Sequence, residues 1–374
     1  MQTFDIAIIG GGIAGISLAY FLSPHRSVVV LEQEGALGYH STGRSAAEFT
    51  LRDNAPPVNA LARASHAFLT APPEGFAAVP LLIPRGSILL GTHGKEALVR
   101  RRFAEAQALG AAVEWLEEAA LTARAPILDP AYCAAAYFDP DYWDIDVDAL
   151  LQAYARHARR QGARILEGRA FAGARRAGGT WLVETNAETI AAGVLVNAAG
   201  GWADAVAALS GVAPAGIVPH RRTAITVDLP EGIDAGRLPE INEIEDTFYF
   251  KPEGGRLLAS PADETPCEPA DVQPEEIDIA YAAHHVEEAT TLGVRRVFRS
   301  WAGMRSFSPD RLPVVGPAPD EPSFFWLAGQ GGYGILTSPA LGSLAAALLT
   351  GSPVPEPLAR EGIAATAFSP ARFS

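Results

Sequence analysis

The residues best placed to do chemistry stand near the start of the chain. Gly10, Gly12 and Gly15 have the spacing G-x-G-x-x-G, and Glu32 follows 22 residues after the first of them. In such a pattern the first glycine permits a tight turn and the second lets a pyrophosphate approach the backbone. The third lets a helix pack closely on a strand. An acid at the position of Glu32 suits the hydroxyls of a ribose. The pattern therefore points to a dinucleotide and leaves flavin or nicotinamide open. Three small-residue segments, HSTGRSAA (40–47), NAAGGWA (197–203) and GQGGYGI (329–335), add a second signal. Backbone left this bare suits a flat ring contacted through N–H groups.

Composition removes several other chemistries. Of 29 basic residues only Lys95 and Lys251 are lysines, so Schiff-base catalysis has two possible sites and the charge lies mostly on arginine. Arginine's planar fork suits carboxylates. Cys133 and Cys267 form no CxxC and no cluster, which excludes structural zinc, iron–sulfur ligation and a disulfide framework. No metal is expected, and a reducing cytoplasm is the simplest compartment. A net charge of −14 disfavours nucleic acid and anionic membrane surfaces as partners. Residues 6–24 are uncharged, but Asp5 precedes them and glycines interrupt them, so they read as strand, turn and helix rather than a signal anchor or membrane insertion.

The elements that must position these residues follow from periodicity. FDIAII (4–9) and SVVVLE (27–32) read as buried parallel strands flanking a helix from Ile13 to Leu22, one βαβ unit. Residues 147–161 read as an amphipathic helix, 194–201 and 324–329 as short apolar strands ending in glycines, and the stretch to Leu349 as a small-residue helix. Alternating strands are expected at 222–229 and 247–253. The dinucleotide-type pieces thus recur at the N-terminus, middle and C-terminus. The expected fold is α/β (α+β overall): a Rossmann-type nucleotide domain of residues 1–78, 140–215 and 301–374, interleaved with a mostly antiparallel-sheet substrate domain of residues 79–139 and 216–300.

Taken together, GGGIAG, Glu32, HSTGRSAA, NAAG and GQGGYGI resemble the D-amino-acid oxidase-like flavoproteins. Within that family the likeness is greatest to the bacterial D-arginine dehydrogenases. It runs over essentially the whole chain, through FYFKPE, EEATTL, WAGMRSF and QGGYGI. The resemblance implies non-covalent FAD, with Gly10, Gly12, Ala14, Gly15, Glu32 and Gln33 at its adenosine end. Ser41, Thr42, Arg44, Ser45, Ala46 and Ala47 would follow the diphosphate and ring. Ala199, Gly200, Trp202, Gly303 and Arg305 would line the cofactor, and Gly331, Gly332, Tyr333, Gly334, Ile335 and Leu336 would meet the flavin edge. The implied reaction is oxidation of a D-amino acid to its imino acid by hydride transfer to the flavin, then hydrolysis to a 2-oxo acid and ammonia. The electron acceptor is not identified by these residues.

Such chemistry asks the protein mainly for orientation, because the flavin carries the hard step. Arg222 and Arg305 are the candidates to hold a substrate α-carboxylate through paired bonds, and Tyr249 can add its hydroxyl. The resemblance gives these three that role, with Gly332 beside them. It also brings Glu48, Asp53, Ser87 and Glu240 to the substrate side chain. There the likeness breaks: Ser87 replaces a glutamate that grips a guanidinium, which a serine cannot do as a charged pair. Glu48, Asp53 and Glu240 either bring new carboxylates to the pocket mouth or stand as solvated surface acids, which an acidic chain favours. Altered side-chain specificity follows, and the same carboxylate grip would also serve an N-substituted amino acid or a 2-hydroxy acid.

Overall fold

The computed structural model describes residues 1–373. Its first sheet has a parallel centre. Gln2–Ile9 pairs on one side with Val28–Leu31 and on the other with Thr189–Asn197, and Phe324–Ala328 extends the sheet beyond Asn197. These strands are buried on both faces, as their near-continuous Ile, Val, Leu and Phe content requires. Arg164–Leu166 closes one edge, and the hairpin Phe171–Ala177 with Thr180–Thr185 continues antiparallel on the other side.

Helices cover this sheet. Ile13–Leu22 packs against Ser338–Thr350 and Val147–Arg160, and side chains from all three meet the sheet in one apolar core. The close packing explains the small residues of the last helix. A Cβ at Gly342 would lie 3.0 Å from the Phe21 ring and 3.1 Å from Ser17 Oγ.

The second sheet has ten strands, antiparallel except where Glu240–Glu243 pairs with Ser87–Gly91. At its centre Val218–Val227 lies between Val297–Phe307 and Arg256–Ser260. The expected boundary at residue 301 therefore falls inside a strand, Val297–Phe307, that belongs wholly to this sheet. The reason is the length of that strand. It runs from the outer edge of the second sheet to the nucleotide cavity, where Ser306 and Phe307 pair with Gly331 and Gln330. A separate three-stranded sheet, Glu48–Thr50, Tyr142–Ile145 and Leu82–Pro84, joins the two larger layers.

Glycine is obligatory at two points of the first turn. Gly10 has φ 111°, and a Cβ there would lie 2.4 Å from the Ala198 carbonyl oxygen; one at Gly15 would lie 2.0 Å from the Gly10 oxygen. Both obstacles are backbone, which cannot rotate away. Gly15→Ala should lower stability by at least about 2 kcal/mol and weaken binding of the dinucleotide. Gly35→Ala, with nothing within 4 Å of its built Cβ, should leave both unchanged. Denaturant midpoints and the visible spectrum of the purified variants check this.

Candidate active site

A single cavity of about 650 Å³ runs between the two large sheets. Its nucleotide end opens at the fingerprint: Gly10, Gly12 and Ala14 form one wall, with Glu32 and Gln33 beyond. Glu32 is placed by the end of its strand. Its two carboxylate oxygens accept from the backbone N–H groups of Gly11 (2.7 Å) and Glu34 (2.8 Å), while burial raises its pKa. Gly12 presents bare backbone, since a Cβ there would meet nothing closer than Thr42 Oγ1 at 3.4 Å. Thr42 Oγ1 also accepts from Ile13 N–H at the start of the helix. Gly15 does not reach the cavity, because its place is the contact of helix with strand.

The middle of the cavity is walled by Ser41, Thr42, Arg44, Ser45, Ala46 and Ala47 on one side and by Ala199, Gly200 and Trp202 on the other. Arg44 does not aim its guanidinium into the space. It donates to the carbonyls of Val272 (3.0 Å) and Ala302 (3.2 Å) and pairs with Asp271, tying this loop to the second sheet. Lys251 ties it from behind, with Nζ 3.1 Å from the Ala47 oxygen and 3.0 Å from Asp144. His40 lies tilted against Trp202, with ring centroids 4.6 Å apart, and its buried Nδ1 has no partner among the described residues.

The far end is built by register. In the antiparallel pair, Arg222 stands opposite Gly303 and Arg305 stands two residues further on, so both arginines occupy the same face diagonally. Diagonal neighbours in a sheet lie roughly 7–8 Å apart, where two unit charges at an effective dielectric of about 20 repel by about 2 kcal/mol. Burial, then the charge of Arg305, lowers the pKa of Arg222. Arg222 reaches Glu264 at 3.3 Å, but its buried Nε has no partner. Arg305 forms no ion pair among the described residues. A Cβ on Gly332 would come within 3.1 Å of its guanidinium, so the glycine leaves room for it. Tyr249 joins the wall through a second row, where it pairs with Asn242 and Asn242 with Leu89. Gly303 and the run Gly331, Gly332, Tyr333, Gly334, Ile335 and Leu336 complete it.

The acids differ from expectation. Glu48 and Asp53 both line the cavity, Glu48 from the strand Glu48–Thr50 and Asp53 from the turn that follows it. Asp53 accepts from Thr50 Oγ1 at 3.1 Å and from the Tyr142 hydroxyl, and burial raises its pKa. Ser87 and Glu240 lie behind the wall. Ser87 is fully buried and accepts from Asn242 Nδ2 at 3.0 Å, so it steadies Asn242 instead of facing the space. Glu240 is buried against Glu48 and Lys251, and burial followed by the Glu48 charge drives its pKa well up.

Other wall residues carry no sequence motif: Asp246, Ala262, Glu264 and Arg311. Three of them, Asp246 (φ 58°), Ala262 (φ 51°) and Arg311 (φ 62°), are the non-glycine residues with positive φ among the described residues. Backbone strain of this kind gathers at ligand sites. The one available signal was an Asp or Arg in a tight turn, which is too common to single out.

The chain matches the family described as DAO, FAD dependent oxidoreductase, over residues 5–348, and it belongs to that family. It is 26% identical over 360 residues to glycine oxidase of Geobacillus kaustophilus (strain HTA426), covering 92% of this chain and 93% of that protein. It is 28% identical over 363 residues to mitochondrial dimethylglycine dehydrogenase of Rattus norvegicus, covering 90% of this chain and 42% of that longer protein. The crystal structure of the Geobacillus glycine oxidase superposes with a TM-score of 0.81 at 24% identity, over 100% of this chain and 98% of that one. Dithionite-reduced L-α-glycerophosphate oxidase from Mycoplasma pneumoniae, with FAD bound, gives 0.82 at 19% identity over 94% and 95%. The protein is an FAD-dependent oxidoreductase of mixed α/β fold. The cavity fits that cofactor: bare glycine backbone and an acid stand at one end, small side chains line the middle, and the arginines lie beyond. Among the described residues no helix is long and apolar enough to cross a membrane.

Glu240 makes the pH dependence of stability testable. Its folded pKa is raised, so above the ordinary carboxylate range the unfolded chain loses this proton first and the folded state is penalised as pH rises. Glu240→Gln removes that penalty. Its melting temperature relative to the parent should climb steadily as pH is raised from about 4 to about 8; a constant difference would contradict the assignment.

Proposed function

We propose that the protein oxidises the Cα–N bond of a D-amino acid, in the manner of the D-arginine dehydrogenases but with altered side-chain specificity. The observation that carries this is the arginine pair: Arg305 without an ion pair and Arg222 with an unpartnered Nε, on one face and in one cavity with the nucleotide cradle. The two charges repel each other, and a carboxylate entering between them satisfies both forks at once. Tyr249 donates its hydroxyl to the same carboxylate. Three points of contact fix the rotation of the substrate, so that its Cα–H faces the ring site bordered by Gly331–Leu336.

Bound FAD supplies the hydride acceptor. The residues here bind and orient: Arg222, Tyr249 and Arg305 hold the carboxylate, and the substrate nitrogen loses its proton to water as the C=N bond forms. The imino acid takes up water outside and yields a 2-oxo acid and ammonia, while the electrons leave to an external acceptor. The FAD is held non-covalently, through Gly10–Ala14, Glu32–Gln33 and the 41–47 loop, so acid precipitation should release all of the yellow colour. In the side-chain part of the cavity, Glu48, Asp53, Asn242 and Asp246 favour a polar side chain carrying donors, and no charged clamp stands at Ser87. An undiminished preference for D-arginine over D-alanine and D-methionine would overturn the altered specificity.

A second reading is oxidation of an N-substituted amino acid or a 2-hydroxy acid. The likeness to dimethylglycine dehydrogenase favours the N-substituted class, and the carboxylate grip serves all three. The deciding experiment is the visible spectrum of anaerobic holoenzyme mixed with D-amino, L-amino, N-methylamino and 2-hydroxy acids. Bleaching by D-amino acids supports the first reading; bleaching confined to N-methylamino or 2-hydroxy acids replaces it with the second. In either case Arg305→Met should raise KM about a hundredfold with FAD still bound, and wild-type kinetics in that variant would refute the carboxylate role.

A further inference from the structure

We propose that Glu264 is a resident competitor for the carboxylate grip, bridging Arg222 and Arg311 until the substrate's own carboxylate displaces it from Arg222 and leaves it on Arg311 alone. This rests on the reading of Arg222 and Arg305 given above. Glu264 lines the cavity and is the one carboxylate within ion-pair distance of Arg222 among the described residues. Its two contacts are unequal. Oε1 is 3.3 Å from Arg222 Nη2, whereas both oxygens lie 2.9 Å from Arg311 Nη2. Glu264 can therefore leave Arg222 without losing its stronger partner.

The backbone on both sides of Glu264 is pinned. Asp263 accepts from Thr223 N–H at 2.6 Å and from Thr223 Oγ1 at 3.1 Å, and Ala262 N–H donates to Ser260 Oγ at 3.2 Å. On the other side, Thr265 pairs with Arg221 and Pro266 with His220. Displacement is thus a side-chain rotation, with no loop opening required. Arg311 waits in a fixed place: its backbone turns at φ 62°, its N–H donates to Ser308 O at 2.9 Å, and its guanidinium lies 3.7 Å over the Phe307 ring. The result is a site that accepts a ligand only if the ligand's anion outbids an internal carboxylate. A free carboxylate does so through paired bonds to Arg222 and Arg305, and an ester or amide does not.

The test is calorimetric binding of propionate to the FAD-loaded protein. Glu264→Gln should tighten propionate about three- to fivefold, the range of a partly exposed ion pair. Arg311→Met, which removes the resting place, should weaken it by a similar factor. A prop that merely holds Arg222 in place would act in the opposite sense, so weaker binding in Glu264→Gln overturns the proposal. Propionate that binds the parent, is lost in Arg305→Met and is unchanged in Glu264→Gln overturns this proposal alone. No propionate binding to the parent overturns the carboxylate grip, and this proposal with it.

Discussion

The register of one strand pair decides whether this protein has a substrate site. Val218–Val227 and Val297–Phe307 are aligned so that Arg222 and Arg305 share a face, with Gly303 directly opposite Arg222. Sliding either strand by one residue would turn its arginine to the opposite face. The pairing also sets the chemistry. It leaves two cations beside each other, and the same strand continues into the contact with Gly331 that brings the glycine-rich C-terminal segment alongside. Cradle and grip are therefore coupled through a single strand, not assembled from separate loops.

A like-charge pair is tolerated because carboxylates line the same cavity. Glu264, Asp246, Glu48 and Asp53 all line it, and Asp246 feels both arginines. Behind the wall a second network performs a mechanical task. Lys251 is almost wholly buried, yet it spends its charge on Asp144, with Glu240 nearby, and donates to the Ala47 carbonyl. Arg85 holds the same Asp144. A buried ion is retained at such cost when it fixes a geometry. Here the geometry fixed is the 41–47 loop, whose far side Arg44 ties to Asp271 and Val272.

Much of the fold was legible in the sequence because the signals were local. The helix Ile13–Leu22 and the strand Val28–Leu31 are written in glycine spacing and apolar runs, and the structure has them at those positions. The three small-residue segments converge on one cavity for the same reason: each lacks side chains where a flat group must come close. What the sequence concealed was orientation across long range. Ser87 and Asn242 lie 155 residues apart, and their hydrogen bond decides that Asn242 and not Ser87 meets the cavity. Glu48 and Asp53 look like solvent-facing acids in an acidic chain. Both line the cavity, Glu48 on a strand captured by Tyr142–Ile145, a pairing that no local pattern announces.

The strained residues follow the same logic. Asp246, Ala262 and Arg311 come from three separate turns, yet each takes a left-handed conformation on the cavity wall. Each such residue costs on the order of 1–3 kcal/mol, and a fold under no other demand would relax the turns with glycine. Their common position shows what they hold in place. Asp246 feels the charge of both arginines, Ala262 stands two residues before Glu264, and Arg311 receives Glu264's carboxylate. Stability spent there is returned as a charge arrangement poised for an anion, in which the internal carboxylate and the incoming one compete for the same guanidinium.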